Sequence, residues 1–413
     1  MNEKYKLLDR CLCCNGEKLM KTLDLKEQPL ANSYHKGEEL PKFPLAINLC
    51  LDCYHTQLTV AVDPDEMFKN YLYVSGTTQT LRDYFDWFAS FVVAKNLAGR
   101  KMDKVNILDI ACNDGSQLNS FKKYGCNLYG VDPAENLADL SREKGINLTV
   151  GYWNQETAKT LPEMDIIIAQ NVFAHNSDPY DFLMSCKEIM SSKTTLYIQT
   201  SQANMFQNNE FDTIYHEHIS FFSIKSMDAL ARRTGMRITD VFKPDIHGTS
   251  YVFTIKIGAP YEQDTYDLMK DECKEGRCDP AFYYKYNKNV QKVANDLKMY
   301  VENAKSDGKT VVGYGAAAKG TVFLNFADIK LDYIVDDNEL KHGYMIPGMD
   351  TPIKPPSALK DEENLVVVPL AWNFFDEIKS KVETLRAFKN DDGNNVKLDT
   401  TFVRYFPGLQ ETK

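Results

Sequence analysis

Between Glu210 and Ser223 the chain reads EFDTIYHEHISFFS, which packs two of its seven histidines, three carboxylic acids and a tyrosine into one aromatic-rich stretch. An imidazole gains and loses a proton near neutral pH, so this composition suits a sheltered proton-transfer site. On extended backbone His216 and His218 would point to one side and Glu217 to the other, whereas a loop would gather all three. The plainer alternative is a buried turn whose histidines only satisfy backbone groups. Four thiols form a second set, Cys11-x-x-Cys14 and, after 35 intervening residues, Cys50-x-x-Cys53. Two such pairs close a tetrahedral thiolate cage with no open position, the donor set of a structural zinc ion. Cys13 lies inside the first pair, where spacing favours Cys14, and His55 is expected at the surface. The ten cysteines are clustered, so reduced thiols and metal binding are expected in place of disulfides.

A third set reads Val105-Asn-Ile-Leu-Asp109-Ile-Ala111-Cys-Asn113-Asp114-Gly115-Ser116, a buried strand entering a tight loop and a helix. The next strand ends at Asp132-Pro133, 23 residues after Asp109, where an acid can accept hydrogen bonds from ribose hydroxyls. The loop lacks GxGxxG, so no pyrophosphate cradle is evident and a cofactor with a ribose but no phosphates is implied. S-adenosylmethionine fits, with its sulfonium and amino-acid end over Asp109 and the loop. Met164 to Gln170 reads as a central strand, followed by Asn171 and His175 at the end where chemistry occurs in such sheets. A fourth set is Gly313-Tyr314-Gly315-Ala316-Ala-Ala-Lys319-Gly320, a strand, a glycine-rich turn and a helix that offer backbone N–H groups and a cation to phosphate. Asp336 follows 21 residues after Gly315, again where an acid meets a ribose.

The elements that must position these sets alternate strand and helix, which predicts an α/β protein with parallel, doubly wound sheets. A helix starts near Thr80 with Leu81, Phe85, Phe88, Val92 and Leu97 on one face, after a polar aromatic loop containing Tyr73. Paired strands near 237–242 and 250–257 close the first sheet, with His247 in the hairpin. A long helix begins at Asp279-Pro280, with Phe282, Tyr286, Val290, Val293, Leu297 and Val301 on its apolar face. At 413 residues the chain is long enough for several domains, read as 1–80, 81–258 and 259–413. The formal charge of −10 and pI near 5.3, without a basic stripe, argue against a nucleic-acid partner. The start MNEKYKLLDR has no apolar signal region and no stretch of about 18 apolar residues occurs, so a cytoplasmic protein without a membrane partner is expected. Oligomeric state is left open.

Taken in order, Cys11/Cys14/Cys50/Cys53, DLKEQPLANSY, YLYVSGTT, ACNDGS, GVDPA, QNVFAH, EFDTIYHEHISFFS, HGTS, GYGAAAKG, LDYIVDDN and LAWNF resemble the sugar C-methyltransferases that act on nucleotide-linked 4-keto deoxysugars. The resemblance spans nearly the whole chain. It implies a zinc-binding N-terminal module, a central Rossmann-like class I methyltransferase domain that binds S-adenosylmethionine, and a C-terminal Rossmann-like domain that holds the nucleotide-sugar. On that reading Asp109, Ala111, Asn113, Asp114, Gly115, Asp132, Pro133 and Asn171 bind the cofactor. His216, His247, Gly313, Tyr314, Gly315, Ala316, Lys319 and Asp336 bind the acceptor. His218 is the base, with Glu217 orienting it or a sugar hydroxyl, Tyr215 or His175 donating to the keto oxygen, and Tyr73 capping the sugar. Cys112 and the tail LDTTFVRYFPGLQETK depart from the pattern. A zinc-knuckle RNA methyltransferase, a non-catalytic nucleotide-sugar-binding protein and an O- or N-methyltransferase on a sugar are the rival readings.

Overall fold

In a computed structural model of the protein, the structure describes residues 4–68, 78–201, 203–246, 249–260, 262–389 and 395–413. The chain folds into two units, each assembled from three segments: Met1–Met20, Asn48–Ala203 and Ile219–Pro280 in the first, and Lys21–Ile47, Asn204–His218 and Ala281–Lys413 in the second.

The first unit is organised by runs such as Ile107-Leu108-Asp109-Ile110 and Ile166-Ile167-Ile168-Ala169, which are apolar on both faces and so form interior strands of a covered sheet. Its strands are β1 (Asn106–Ile110), β2 (Asn127–Asp132), β3 (Asn147–Val150), β4 (Met164–Gln170), β5 (Met190–Thr200), β6 (Met236–Phe242) and β7 (Tyr251–Ile257). They lie in the order β6-β7-β5-β4-β1-β2-β3, with β1 to β5 parallel and β7 antiparallel to both neighbours. Helix α1 (Gln79–Asn96) is capped by Thr78, whose hydroxyl accepts from Leu81 N–H, and its buried Leu81, Phe85, Phe88 and Val92 join one layer of the core. The opposite layer is filled from α3 (Pro179–Glu188) and α4 (Ile224–Arg233), while α2 (Ser116–Lys122) follows β1 directly. Cys11, Cys13, Cys50 and Cys53 pack in this opposite layer with Leu108, Val131 and Ala169, so the cysteine module shares the sheet's core.

Cys112 explains itself in this setting. Its thiol is buried where a Cβ on Gly130 would come within 2.6 Å of Sγ, so it packs in the core. Burial pushes its pKa up and keeps it inert.

The second unit carries β8 (Thr310–Tyr314), β9 (Tyr333–Val335), β10 (Ile353–Lys354), β11 (Leu365–Pro369), β12 (Thr400–Arg404) and β13 (Gln410–Thr412) in the order β10-β9-β8-β11-β12-β13. All pair in parallel except β12 with β13, so the departing tail forms a sheet edge. Helix α5 (Pro280–Ser306) buries Tyr283, Tyr286, Val290, Val293, Leu297 and Val301; the buried stripe begins at Tyr283, with Phe282 only partly covered. Helices α6 (Ala318–Ala327) and α7 (Phe375–Leu385) complete the layers. Segment 204–218 is irregular backbone, anchored inside this unit by Phe206 against Tyr283 and Tyr286 and by Phe211 against Phe323, Phe326 and Phe406. Among the described residues no helix is long and apolar enough to cross a membrane.

Candidate active site

The sulfur atoms of Cys11, Cys14, Cys50 and Cys53 all lie within 4.8 Å of one another, with Cys11–Cys53 and Cys14–Cys50 at 3.5 Å. Thiolates held at about 2.3 Å by a tetrahedral zinc ion have sulfurs roughly 3.8 Å apart, so these four residues fit the metal. Two expectations are corrected here. His55 is fully buried, its Nε2 3.2 Å from the Ser220 hydroxyl and its ring 5.0 Å from Phe222, because it turns into the interior behind the second cysteine pair. Cys273 and Cys278 form a disulfide with Cα atoms 4.7 Å apart, a short loop whose spacing the clustering argument overlooked.

At the end of β1 the chain reverses through Ala111 (φ 59°), Asn113 (φ 53°) and Gly115 (φ 76°). Only glycine fits the last position, since a Cβ there would also meet Ile146 Cδ1 at 2.4 Å. The Ala111 N–H donates to the Val131 carbonyl at 2.7 Å. The Asp132 carboxylate accepts the N–H groups of Asn113 and Ala134, each at 2.8 Å, so its first task is to hold the loop, and a ribose would use the remaining lone pairs. Asp114 accepts from the Ser116 hydroxyl at 2.6 Å and pairs with Lys144. Asp109 is buried, and burial with the charges of Asp132 and Asp114 holds its carboxyl pKa well above the usual range. A cation would relieve that pressure. Nearby at the end of β4, Asn171 (φ 55°) and Gln170 keep a buried Oδ1 and Nε2 without hydrogen-bond partners. A donor that brings a sulfonium, an ammonium and several hydrogen-bonding groups answers both features, so this loop fits S-adenosylmethionine. His175 follows in a short turn, half-buried, its pKa pulled down to about 4 by desolvation, so its imidazole is neutral at physiological pH.

In the second unit the turn Tyr215–His218 closes through the His218 N–H on the Tyr215 carbonyl at 2.8 Å. This is the loop arrangement. It stacks the Tyr215 and His218 rings with centroids 4.0 Å apart. His218 Nδ1 lies 2.7 Å from the Thr213 carbonyl, which can only accept, so Nδ1 carries the proton and Nε2 presents its lone pair. The Tyr215 hydroxyl donates to that lone pair at 2.9 Å. Orientation of His218 therefore comes from Thr213 and Tyr215. Glu217 is half-buried and accepts from the Asn32 amide at 2.6 Å. His216 is buried against Phe43, with Nε2 3.3 Å from the Phe43 carbonyl and its pKa pulled down to about 4. That ring packs against Phe43 behind the turn, with its buried Nδ1 lacking a hydrogen-bond partner.

The glycines after β8 divide their work. Gly313 and Gly320 are packing positions, where a Cβ would meet Leu370 at 2.8 and 2.7 Å, while Gly315 (φ 91°) makes the turn. The Gly315 N–H donates to the Val335 carbonyl at 2.7 Å, and Asp336 accepts the N–H groups of Ala316 at 2.7 Å and Asn338 at 2.8 Å. Tyr314 donates to Asp337 at 2.9 Å. Helix α6 begins after Ala317, which offers no side-chain cap. Lys319 Nζ lies 4.6 Å over the Trp372 ring, and Trp372 donates to Asp212 at 2.8 Å. Lys341 reaches the Ala316 carbonyl at 2.9 Å and Asp336 at 3.1 Å. Asn32, Tyr34, Asp212, Lys341 and Trp372 were not identified as site residues from the sequence. Asn32, Tyr34 and Trp372 lie in motifs, ANSY and LAWNF, that could have flagged them. Tyr73 and His247 lie outside the described residues.

Three family models match in chain order: a zinc binding domain over residues 11–68, a methyltransferase domain over 79–241 and a C-methyltransferase C-terminal domain over 245–394. The C-methyltransferase NovU of Streptomyces niveus is 26% identical over 395 residues, covering 92% of this chain and 93% of its own. A ubiquinone biosynthesis O-methyltransferase of Coxiella burnetii is 22% identical over 152 residues, 33% of this chain and 65% of its own. Among solved structures, magnesium protoporphyrin IX methyltransferase from Synechocystis with bound SAH aligns over 43% of this chain and 83% of its own at 11% identity and a TM-score of 0.35. With the three domain models in sequence and NovU matched across more than nine-tenths of both chains, this protein is an S-adenosylmethionine-dependent methyltransferase that joins a zinc-binding module and a methyltransferase domain to a C-methyltransferase C-terminal domain, and it is similar along its length to a C-methyltransferase.

Proposed function

We propose that the acceptor is a nucleotide-linked 4-keto-deoxysugar and that methyl is placed on the carbon beside the ketone, C3 in this reading. The observation that carries it is the Thr213–His218–Tyr215 arrangement, with a lone pair on Nε2 2.9 Å from a phenol. Carbon becomes a nucleophile only when a C–H bond is ionised, and a neutral imidazole is suited to that task. Bound S-adenosylmethionine supplies an electrophilic methyl group on sulfonium. The Tyr215 O–H first turns from Nε2 to the keto oxygen of the sugar, and the freed Nε2 lone pair then takes the proton from the sugar carbon, the C–H electron pair becoming the enolate. The protonated Nε2 can now donate to the Tyr215 oxygen while the phenol O–H stays hydrogen-bonded to the enolate oxygen. The enolate pair would form the new C–C bond as the sulfur–methyl bond breaks with its pair left on sulfur, and the His218 imidazolium returns its proton to solvent.

We assign the donor to the first unit and the acceptor to the second. The uncapped start of α6, with Lys319 and Lys341 beside it, supports a diphosphate on the glycine-rich turn. The test is incubation with a nucleotide-linked 4-keto-6-deoxyhexose in heavy water, with and without S-adenosylmethionine, read by mass and proton NMR. A carbon-bound methyl beside the ketone, and deuterium at that carbon without donor, both absent in His218→Ala, are expected. Methyl on oxygen or nitrogen, or full activity in His218→Ala, overturns the reading.

A further inference from the structure

Within the second unit, the loop between the strands Leu19–Pro29 and Lys42–Cys50 has two contacts that the proposed chemistry does not yet use. The exposed Asn32 gives its amide to Glu217 at 2.6 Å. Two residues on, Tyr34 gives its hydroxyl to the Ala316 carbonyl of the glycine-rich turn, also at 2.6 Å. His35 then fixes the strap, its Nε2 3.0 Å from the Ile346 carbonyl and its Nδ1 accepting the Gly37 N–H at 3.2 Å. One strap thus touches both the turn assigned to the nucleotide and the acid beside the base.

We propose that Asn32 is a positioning residue that holds Glu217 for a hydroxyl of the acceptor, and that Tyr34 sets this strap in register with the glycine-rich turn. The inference rests on the reading above, and Glu217 is assigned the hydroxyl because Thr213 and Tyr215 already orient His218. A carboxylate free to rotate offers its lone pairs in many directions, whereas one with an oxygen fixed by an amide offers them in one. Burial raises the Glu217 pKa and the Asn32 amide lowers it. The other titratable groups about it are Tyr34, which feels the charges of Asp336 and Glu217, and Tyr215 and His218 on its own segment.

The test uses the full chain with carboxyl-13C glutamate, the Glu217 signal being identified by its loss in Glu217→Gln. In Asn32→Ala the Glu217 titration moves to higher pH. Deuterium wash-in on the 4-keto sugar slows on the order of tenfold to a hundredfold, and S-adenosylmethionine affinity and Tm stay unchanged. Tyr34→Phe raises KM for the nucleotide-sugar more than it lowers kcat. Asn32→Ser, a smaller perturbation with a remaining donor, gives an intermediate rate and guards against a folding defect. An unmoved Glu217 titration, or a moved titration with an unchanged wash-in rate, overturns the proposal. If the wild type exchanges no deuterium, the substrate reading fails and the NMR titration alone still decides whether Asn32 sets the state of Glu217.

Discussion

The turn after β1 and the turn after β8 share one plan. In both units the parallel strands run in the order 3-2-1-4-5, counted along the chain. In both, the residue that leaves the first strand, Ala111 or Gly315, donates to the carbonyl of Val131 or Val335 at 2.7 Å. In both, the acid closing the second strand clamps two backbone N–H groups, Asp132 on Asn113 and Ala134, and Asp336 on Ala316 and Asn338. The charges differ. The first turn gathers Asp109, Asp114 and Asp132, with Lys144 paired to Asp114. In the second, Asp336 is paired with Lys341 and Asp337 with Lys381, and Lys319 stands beside an uncapped helix start. The first turn is acidic and the second has lysines beside its acids, yet in both the acid that looks like a ribose ligand in sequence is first a structural clamp.

The sharpest break of this comparison is at its base. Chelating zinc removes a folding term of about 10 kcal/mol or more from a module that shares its core with the first sheet. Hydrogen exchange should rise across β1 to β5 and stay low in β8 to β12; equal loss in both units would show that the two sheets are not separately held. Next in size, Asp132→Ala and Asp336→Ala each strand two N–H groups, costing roughly 2–5 kcal/mol in thermal melts. Calorimetry should show S-adenosylmethionine binding lost in the first and nucleoside diphosphate binding lost in the second, and loss of both in either variant breaks the division.

A third comparison is of two buried acids. The pKa of Asp212 is pushed up to about 7 by burial, with Lys319 and Trp372 opposing. An unfolded aspartate titrates near 3.9, roughly, so the folded state holds the extra proton between these values. That contribution is present below the unfolded pKa and is lost as pH rises through the folded one, by up to about 1.4 kcal/mol per pH unit. Melts of the wild type should therefore weaken from about pH 4 to 7 more than those of Asp212→Asn, and parallel curves would remove Asp212 as the cause. Smallest of all, S-adenosylmethionine binding should expel up to about one proton from Asp109, read as an enthalpy that depends on the buffer and is abolished in Asp109→Asn.

Much of this was legible in the residue order. Two CxxC pairs specify a thiolate cage by spacing alone, and apolar runs such as MDIIIAQ announce interior strands. The long helix and the β1–loop–α2 unit follow from periodicity and from turn residues. What spacing does not convey is which way a side chain faces. His216 and His218 differ by two positions, yet one is an anchor behind Phe43 and the other a base candidate, because the turn at Tyr215 destroys the alternation an extended strand would have. Asn32 and Glu217 are 185 residues apart, and no local pattern joins them. The disulfide at Cys273 was missed because counting clusters favours metals and ignores short loops.

The interleaving of segments has a consequence for biosynthesis. The chain passes from one unit to the other at residues 20/21, 47/48, 203/204, 218/219 and 280/281. The strands of Lys21–Ile47 leave the ribosome early, but the sheet of the unit they belong to begins about 260 residues later, ~10–50 s at ordinary elongation rates. During that interval Phe43 lacks His216, the ring it packs against, which lies 173 residues further along the chain. The emerging polypeptide is a natural client for chaperones, and a protein cut near residue 280 would leave two segments of the second unit, Lys21–Ile47 and Asn204–His218, on the N-terminal fragment instead of yielding two separable halves.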